Sequence, residues 1–233
     1  MSQIEIQTAD QPIAAYLAEP EGSGPAPGVV VVHEVFGMND DIRRWCDRFA
    51  DAGYLALAPD LYDRGWTTAC VVRALLATRR GEGQAFVDIE SAREHLVRHE
   101  RCNGKVGIIG FCMGGGFALL MAPTGLFDAA AVNYGEVPED AESLLDRSCP
   151  IVASYGEEDR LLSDDAERLE RALQTNDVPH DFELYPEAGH GFLNDKESRV
   201  VDFIGGVAGV GYHEESARDA WERIRTLFDE HLR

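Results

Sequence analysis

Short apolar runs recur along the chain, separated by stretches whose apolar positions fall three and four residues apart. Residues 28–33 (Gly-Val-Val-Val-Val-His) are almost continuously apolar and β-branched, which predicts a strand buried on both faces. Asn39 offers an N-cap to a helix carrying Ile42, Trp45, Cys46 and Phe49 on one face. Gly53 closes that helix, and residues 54–58 form the next predicted strand. Phe86, Ile89, Leu96 and Val97 mark a further helix. Strands are predicted at 105–110, 129–134, 150–155 and 181–185, with helices at 113–122, 164–174 and 213–232. This alternation predicts an α/β fold: a mostly parallel twisted sheet with helices on both faces. Residues 4–18 add two short strand-like pieces, an antiparallel edge. Residues 60–83 are irregular in pattern, and an insertion of that kind often covers a site; the Gly-rich apolar stretch 203–212 carries the same expectation. No repeat or linker divides the chain, so residues 1–233 are expected to form one domain.

Composition narrows the class. The 233 residues are 45% hydrophobic and 27% charged, which excludes collagen-like and wholly disordered chains. No apolar run approaches the roughly 18 residues that span a bilayer. Residues 1–20 contain no Lys or Arg, so the charged start of a secretory signal is missing. The five cysteines (46, 70, 102, 112 and 149) show no paired spacing, which favours a reducing, cytoplasmic setting over a disulfide or zinc framework. A net charge of −21, with two lysines, disfavours nucleic acid and anionic membranes as partners. No phosphate-cradling motif follows the first strand of the predicted sheet, and no metal or organic cofactor is expected.

Six residues carry the strongest chemical signal. Gly110-Phe111-Cys112-Met113-Gly114-Gly115 joins an apolar strand to a helix and has the form glycine-x-nucleophile-x-glycine, with cysteine at the centre. Such a turn strains the central residue and admits only small neighbours. The helix N-terminus adds free N–H groups and partial positive charge, which favour a thiolate and a developing oxyanion. A buried cysteine in a tight turn would satisfy the same six residues. Two further segments weigh against that simpler reading. Gly156-Glu157-Glu158-Asp159 follows one predicted strand, and Ala188-Gly189-His190-Gly191-Phe192 follows the next. The order nucleophile, acid, base, with separations of 47 and 31 residues, belongs to the α/β-hydrolase arrangement.

With these pieces, and with His33-Glu34-Val35-Phe36-Gly37 and Ala58-Pro59-Asp60-Leu61-Tyr62, the chain resembles the dienelactone hydrolase (carboxymethylenebutenolidase-like) family from about residue 26 onward. The resemblance implies Cys112 as nucleophile, His190 as base and Asp159 as its orienter, with the N–H groups of Met113 and Val35 forming an oxyanion hole. It implies that Glu34 contacts the resting cysteine and changes partner when substrate arrives, and that Arg64 holds a substrate carboxylate. Tyr62, Phe36 and Phe192 are candidates for substrate contact, with Trp66 in the insertion. The best-known members of the family carry a second carboxylate-binding arginine four residues after the histidine, where this chain has Asn194. A neutral amide does not replace a bidentate clamp, so a less acidic or larger lactone or ester is expected as substrate. His33 and His180 are expected to be structural and Cys46 to lie in the core. The resulting expectation is a hydrolase of a small lactone or activated ester, monomeric or homodimeric, working through a thioester acyl-enzyme. A small-molecule-binding protein or a thiol redox sensor on the same fold is the alternative.

Overall fold

The valine run forms β3 (Ala26–Val32), buried at all seven positions, as a strand covered on both faces must be. Around it the computed structural model describes residues 1–65, 67–162, 164–194 and 211–233, without the side chains of residues 67 and 68. β3 pairs in parallel with β4 (Leu55–Pro59) on one side and β5 (Cys102–Phe111) on the other. β6 (Ala129–Asn133), β7 (Ile151–Gly156) and β8 (His180–Tyr185) continue in parallel from β5. The expected antiparallel edge is a hairpin of β1 (Ser2–Ile6) and β2 (Ile13–Ala18), and β2 also runs antiparallel to β4. Among the described residues these make one eight-stranded sheet in the order β1-β2-β4-β3-β5-β6-β7-β8.

Helices cover both faces. α1 (Asp40–Asp51) begins where Asn39 Oδ1 accepts the Ile42 N–H at 3.0 Å, and Asp40 and Asp41 suit the positive end of its dipole. Ile42 and Phe49 of α1 pack with Ile224 and Phe228 of the last helix, α7 (Glu214–Leu232), on one side of the sheet. The other side holds α2 (Thr67–Arg80), α3 (Gln84–Arg98), α4 (Met113–Met121) and α6 (Asp165–Thr175), with the one-turn α5 (Ala141–Leu144) in the connection before β7. No helix among the described residues is long and apolar enough to cross a membrane.

The stretch expected to be irregular, 60–83, contains α2. Cys70, Ala74 and Ala77 form a buried stripe against the core, but Val72, Leu75 and Leu76 on the opposite face are also apolar and exposed. A helix that is apolar on two faces loses the contrast on which periodicity depends. Trp66 and most of the stretch 203–212 lie outside the described residues.

Parallel crossovers bring the carboxyl ends of β3, β5, β6, β7 and β8 to one edge of the sheet, where ligands bind in open α/β sheets. At that edge the backbone is too crowded for side chains. A Cβ on Gly110 would lie 1.9 Å from the Gly114 carbonyl oxygen, and one on Gly114 would lie 2.2 Å from the Val32 carbonyl oxygen. Both obstacles are backbone atoms, so no rotamer change relieves them. Gly114→Ala is therefore expected to cost about 3 kcal/mol or more, with thermal unfolding by circular dichroism as the check. A melting temperature equal to wild type would show that α4 can retreat from β3.

Candidate active site

Cys112 follows β5 and caps α4 with φ 52 and ψ −117. An ordinary residue in that region stores on the order of 1–3 kcal/mol of strain, and it persists only where the surroundings enforce it. The enforcement is visible: the Cys112 N–H donates to Asn133 O at 3.1 Å, Gly116 N–H donates to Cys112 O at 3.2 Å, and Asn133 Nδ2 donates to Gly110 O at 3.0 Å. The thiol is thereby lifted to the sheet edge, half-buried, at the N-terminus of α4.

The loops after β7 and β8 meet beside it. Glu158 N–H donates to Ala188 O at 3.0 Å, and Leu161 N–H donates to Asp159 Oδ1 at 2.9 Å. Asp159 Oδ2 lies 2.7 Å from His190 Nδ1, and both residues are buried. A carboxylate only accepts, so Nδ1 carries the proton and the other ring nitrogen faces away from Asp159. Burial pulls the imidazole pKa down, but the hydrogen bond to Asp159 and the neighbouring Cys112 outweigh it and hold the pKa at about 10. The arrangement therefore favours an imidazolium at neutral pH.

The turn after β3 completes the edge. His33 Nδ1 donates to Glu34 O at 2.7 Å, and His33 Nε2 accepts from the Leu61 N–H at 3.1 Å, which fixes a neutral tautomer in a fully buried ring. Gly37 N–H donates to the same Glu34 carbonyl at 3.0 Å. With the Glu34 carbonyl pinned by two donors, the planar peptide turns the Val35 N–H the opposite way. The Met113 N–H, in the first turn of α4, has no intrahelical partner either. The Glu34 side chain is buried, and its Oε2 accepts from Asn194 Nδ2 at 3.3 Å. Burial outweighs that hydrogen bond and the nearby His190 charge, and raises the carboxyl pKa to about 7.

Residues 13–232 match the model of the dienelactone hydrolase family. The chain belongs to this family. A Synechocystis sp. relative named "Putative carboxymethylenebutenolidase" is 32% identical over 249 residues, covering 99% of this chain and 96% of its own length. A Yersinia pestis protein of the same name is 30% identical over 97% of this chain and 86% of its own. A Klebsiella pneumoniae structure titled "Putative Dienelactone Hydrolase" superposes with a TM-score of 0.79 at 28% identity, covering 98% of each chain. The family's fold is the α/β-hydrolase fold, and this member is a dienelactone hydrolase-like hydrolase.

The sheet edge gathers Cys112, His190, Asp159, Glu34, Val35 and Met113, as the sequence led us to expect. The remaining candidates fare differently. Phe36 is 39% exposed in the turn after Glu34 and is free to meet a ligand. Tyr62 is buried, with its hydroxyl donating to Val35 O at 3.0 Å and lying 3.6 Å from Met113 Sδ, so it braces the two segments that carry the free N–H groups. Phe192 is fully buried against Tyr134 and Tyr185 and presents no surface to a substrate. Arg64 is already taken: Nη2 and Nε reach Asp88 at 2.5 and 3.3 Å, Nη1 reaches Asp10 at 3.3 Å, and Nη2 also reaches Thr8 Oγ1 at 2.7 Å. It ties the β1–β2 turn to α3 and has no fork left for a carboxylate. Among the described residues the hydrogen-bond partner of the Glu34 side chain is Asn194 and not the resting cysteine expected from the resemblance. Among the described residues no group of three His, Cys, Asp or Glu side chains is placed to hold a metal ion. Tyr134, whose ring lies 5.2 Å from that of His190, was not singled out from the sequence; its position just after β6, at the same edge, was the available signal.

Two measurements check these assignments. The unfolded chain releases the Glu34 proton near pH 4.5, whereas the folded chain holds it to about 7. Stability therefore falls as pH rises through that window and is level above it. At about 1.4 kcal/mol per unit, Glu34→Gln is expected to change little near pH 4 and to stabilise by about 3 kcal/mol near pH 8, read from urea unfolding. An equal effect at both values would contradict the assignment. Arg64→Met leaves Asp88 buried without its cation and is expected to cost about 3–5 kcal/mol. Its KM for a neutral ester should stay at the wild-type value, whereas a raised KM would restore Arg64 to the binding site.

Proposed function

We propose that this hydrolase cleaves a neutral or weakly charged lactone or activated ester through Cys112, His190 and Asp159, with a thioester intermediate. The observation that carries the reading is an imidazole bonded to a buried carboxylate at the same sheet edge as a thiol held in a strained turn, close enough for that thiol to act on the ring. In the resting pair the thiolate faces His190 imidazolium, and Asp159 stabilises the cation and keeps the ring oriented.

The Cys112 thiolate attacks the acyl carbon, and the carbonyl oxygen takes the negative charge between the N–H groups of Val35 and Met113. Collapse restores the carbonyl and breaks the bond to the ester oxygen, which takes the proton from His190. In a lactone this leaving oxygen stays tethered to the acyl chain. Neutral His190 then accepts a proton from water as the water oxygen adds to the thioester. A second collapse expels the Cys112 thiolate, regenerates the ion pair and leaves a carboxylic acid that ionises in solvent. Thiolate is a good leaving group, so the scheme suits enol lactones and aryl esters, whose leaving oxygens are stable, better than amides.

The charge around the site supports a neutral substrate. Asn194 stands where a second cation would, Arg64 is consumed by Asp88, and the chain carries −21 overall.

Stopped-flow hydrolysis of p-nitrophenyl acetate and of a dienelactone tests the reading. Cys112→Ala should lose both activities while keeping its fold, and the wild-type rate on the anionic lactone should rise with added salt while that on the neutral ester stays flat. Ester turnover that survives Cys112→Ala would sink the nucleophile assignment. A lactone rate that falls steeply with salt would sink the neutral-substrate assignment.

A further inference from the structure

Two buried side chains that the scheme above does not use lie between its base and Glu34. Tyr134 follows β6 with a left-handed backbone, φ 38, a conformation that costs an ordinary residue about 1–2 kcal/mol. Its ring is fully buried, edge-on to His190 at 5.2 Å and to Phe192 at 5.6 Å. Burial and the charges of Glu34 and Cys112 keep its hydroxyl protonated, and that hydroxyl donates to Asn194 Oδ1 at 3.3 Å. With its oxygen engaged, the amide turns its nitrogen to Glu34 and donates to Oε2 at 3.3 Å. Asn194 also belongs to the base loop, through its N–H to Gly191 O at 2.9 Å. Two hydrogen bonds thus join the end of β3, the end of β6 and the loop that carries His190.

We propose, resting on the hydrolytic reading above, that Tyr134 and Asn194 are positioning residues: a relay that locks the amide toward Glu34 and couples that carboxyl to the His190 loop. An N–H donor favours the carboxylate over the acid. The other groups facing Glu34 are few. His190 favours the charged form, Asp41 on α1 opposes it and is itself paired with Arg44, and His33 meets only its backbone carbonyl. Ionised Glu34 attracts the His190 imidazolium, so the relay couples the charge on Glu34 to the base beside Cys112. The strained backbone of Tyr134 is the cost of bringing its hydroxyl to Asn194.

Tyr134→Phe keeps the ring against His190 and removes only the donor. The freed amide can turn its oxygen to a protonated Glu34, which then keeps its proton to higher pH. The readout is the pH dependence of Cys112 alkylation by iodoacetamide, followed by mass on the peptide that contains Cys112, in the full chain. The acid limb is expected to move up by about half a pH unit or more in Tyr134→Phe. Asn194→Leu should move it the same way, and the double variant should move it no further than Asn194→Leu alone. In a Glu34→Gln background the Tyr134→Phe shift should vanish. Superimposable profiles for Tyr134→Phe and wild type overturn the relay, as does a lowered melting temperature with no shift, or additive shifts. If Asn194→Leu fails to fold, the Tyr134→Phe and Glu34→Gln pair decides by itself. Alkylation needs no ester turnover, so activity surviving in Cys112→Ala would remove the hydrolytic reading while this profile still answers for the relay.

Discussion

The site depends on how closely the backbone of the β5–α4 turn approaches its neighbours. Gly110 against Gly114, and Gly114 against β3, leave no volume for a methyl group, so α4 starts directly over the sheet edge. That proximity, with the hydrogen bonds from Asn133 and Gly116, holds Cys112 in a conformation it would not choose alone. Everything else at the edge takes its position from this turn. The Met113 N–H points outward because α4 begins there, and the loops after β7 and β8 bring Asp159 and His190 to the thiol that the turn presents.

Electrostatics at the edge follow from burial in a chain of strong negative charge. Asp159 is satisfied by the His190 ring and the Leu161 N–H. Among the described residues Glu34 receives an amide donor and no guanidinium, so desolvation dominates and the carboxyl pKa comes into the neutral range. A guanidinium at position 194 would have held Glu34 as a carboxylate; asparagine leaves it able to take or lose a proton under ordinary conditions. The one cation expected at the site, Arg64, acts elsewhere, as a clamp between the N-terminal hairpin and α3.

Much of this was legible in the chain itself. The valine run of β3, the Asn39 cap and the Gly-Phe-Cys-Met-Gly-Gly turn are local patterns whose physics acts within a few residues, and each appears where the pattern put it. The gathering of Cys112, Asp159 and His190 at one edge was legible too, because each lies within a few residues of the carboxyl end of a strand in a parallel run. The helix α2 was not legible, since its outward face carries Val72, Leu75 and Leu76 and blurs the period. Phe192 follows the base histidine by two residues, yet its ring turns inward to Tyr134 and Tyr185.

By itself the sequence determined the fold class and the strained cysteine turn, because strand burial, capping and glycine packing are written in neighbouring positions. The tertiary structure alone decided which partner each polar side chain takes. Arg64 finds Asp88 24 residues away, Glu34 finds Asn194 160 residues away, and Tyr134 reaches Asn194 across 60. Such pairings depend on desolvation and on direction in a folded interior, and neither quantity exists along an extended chain.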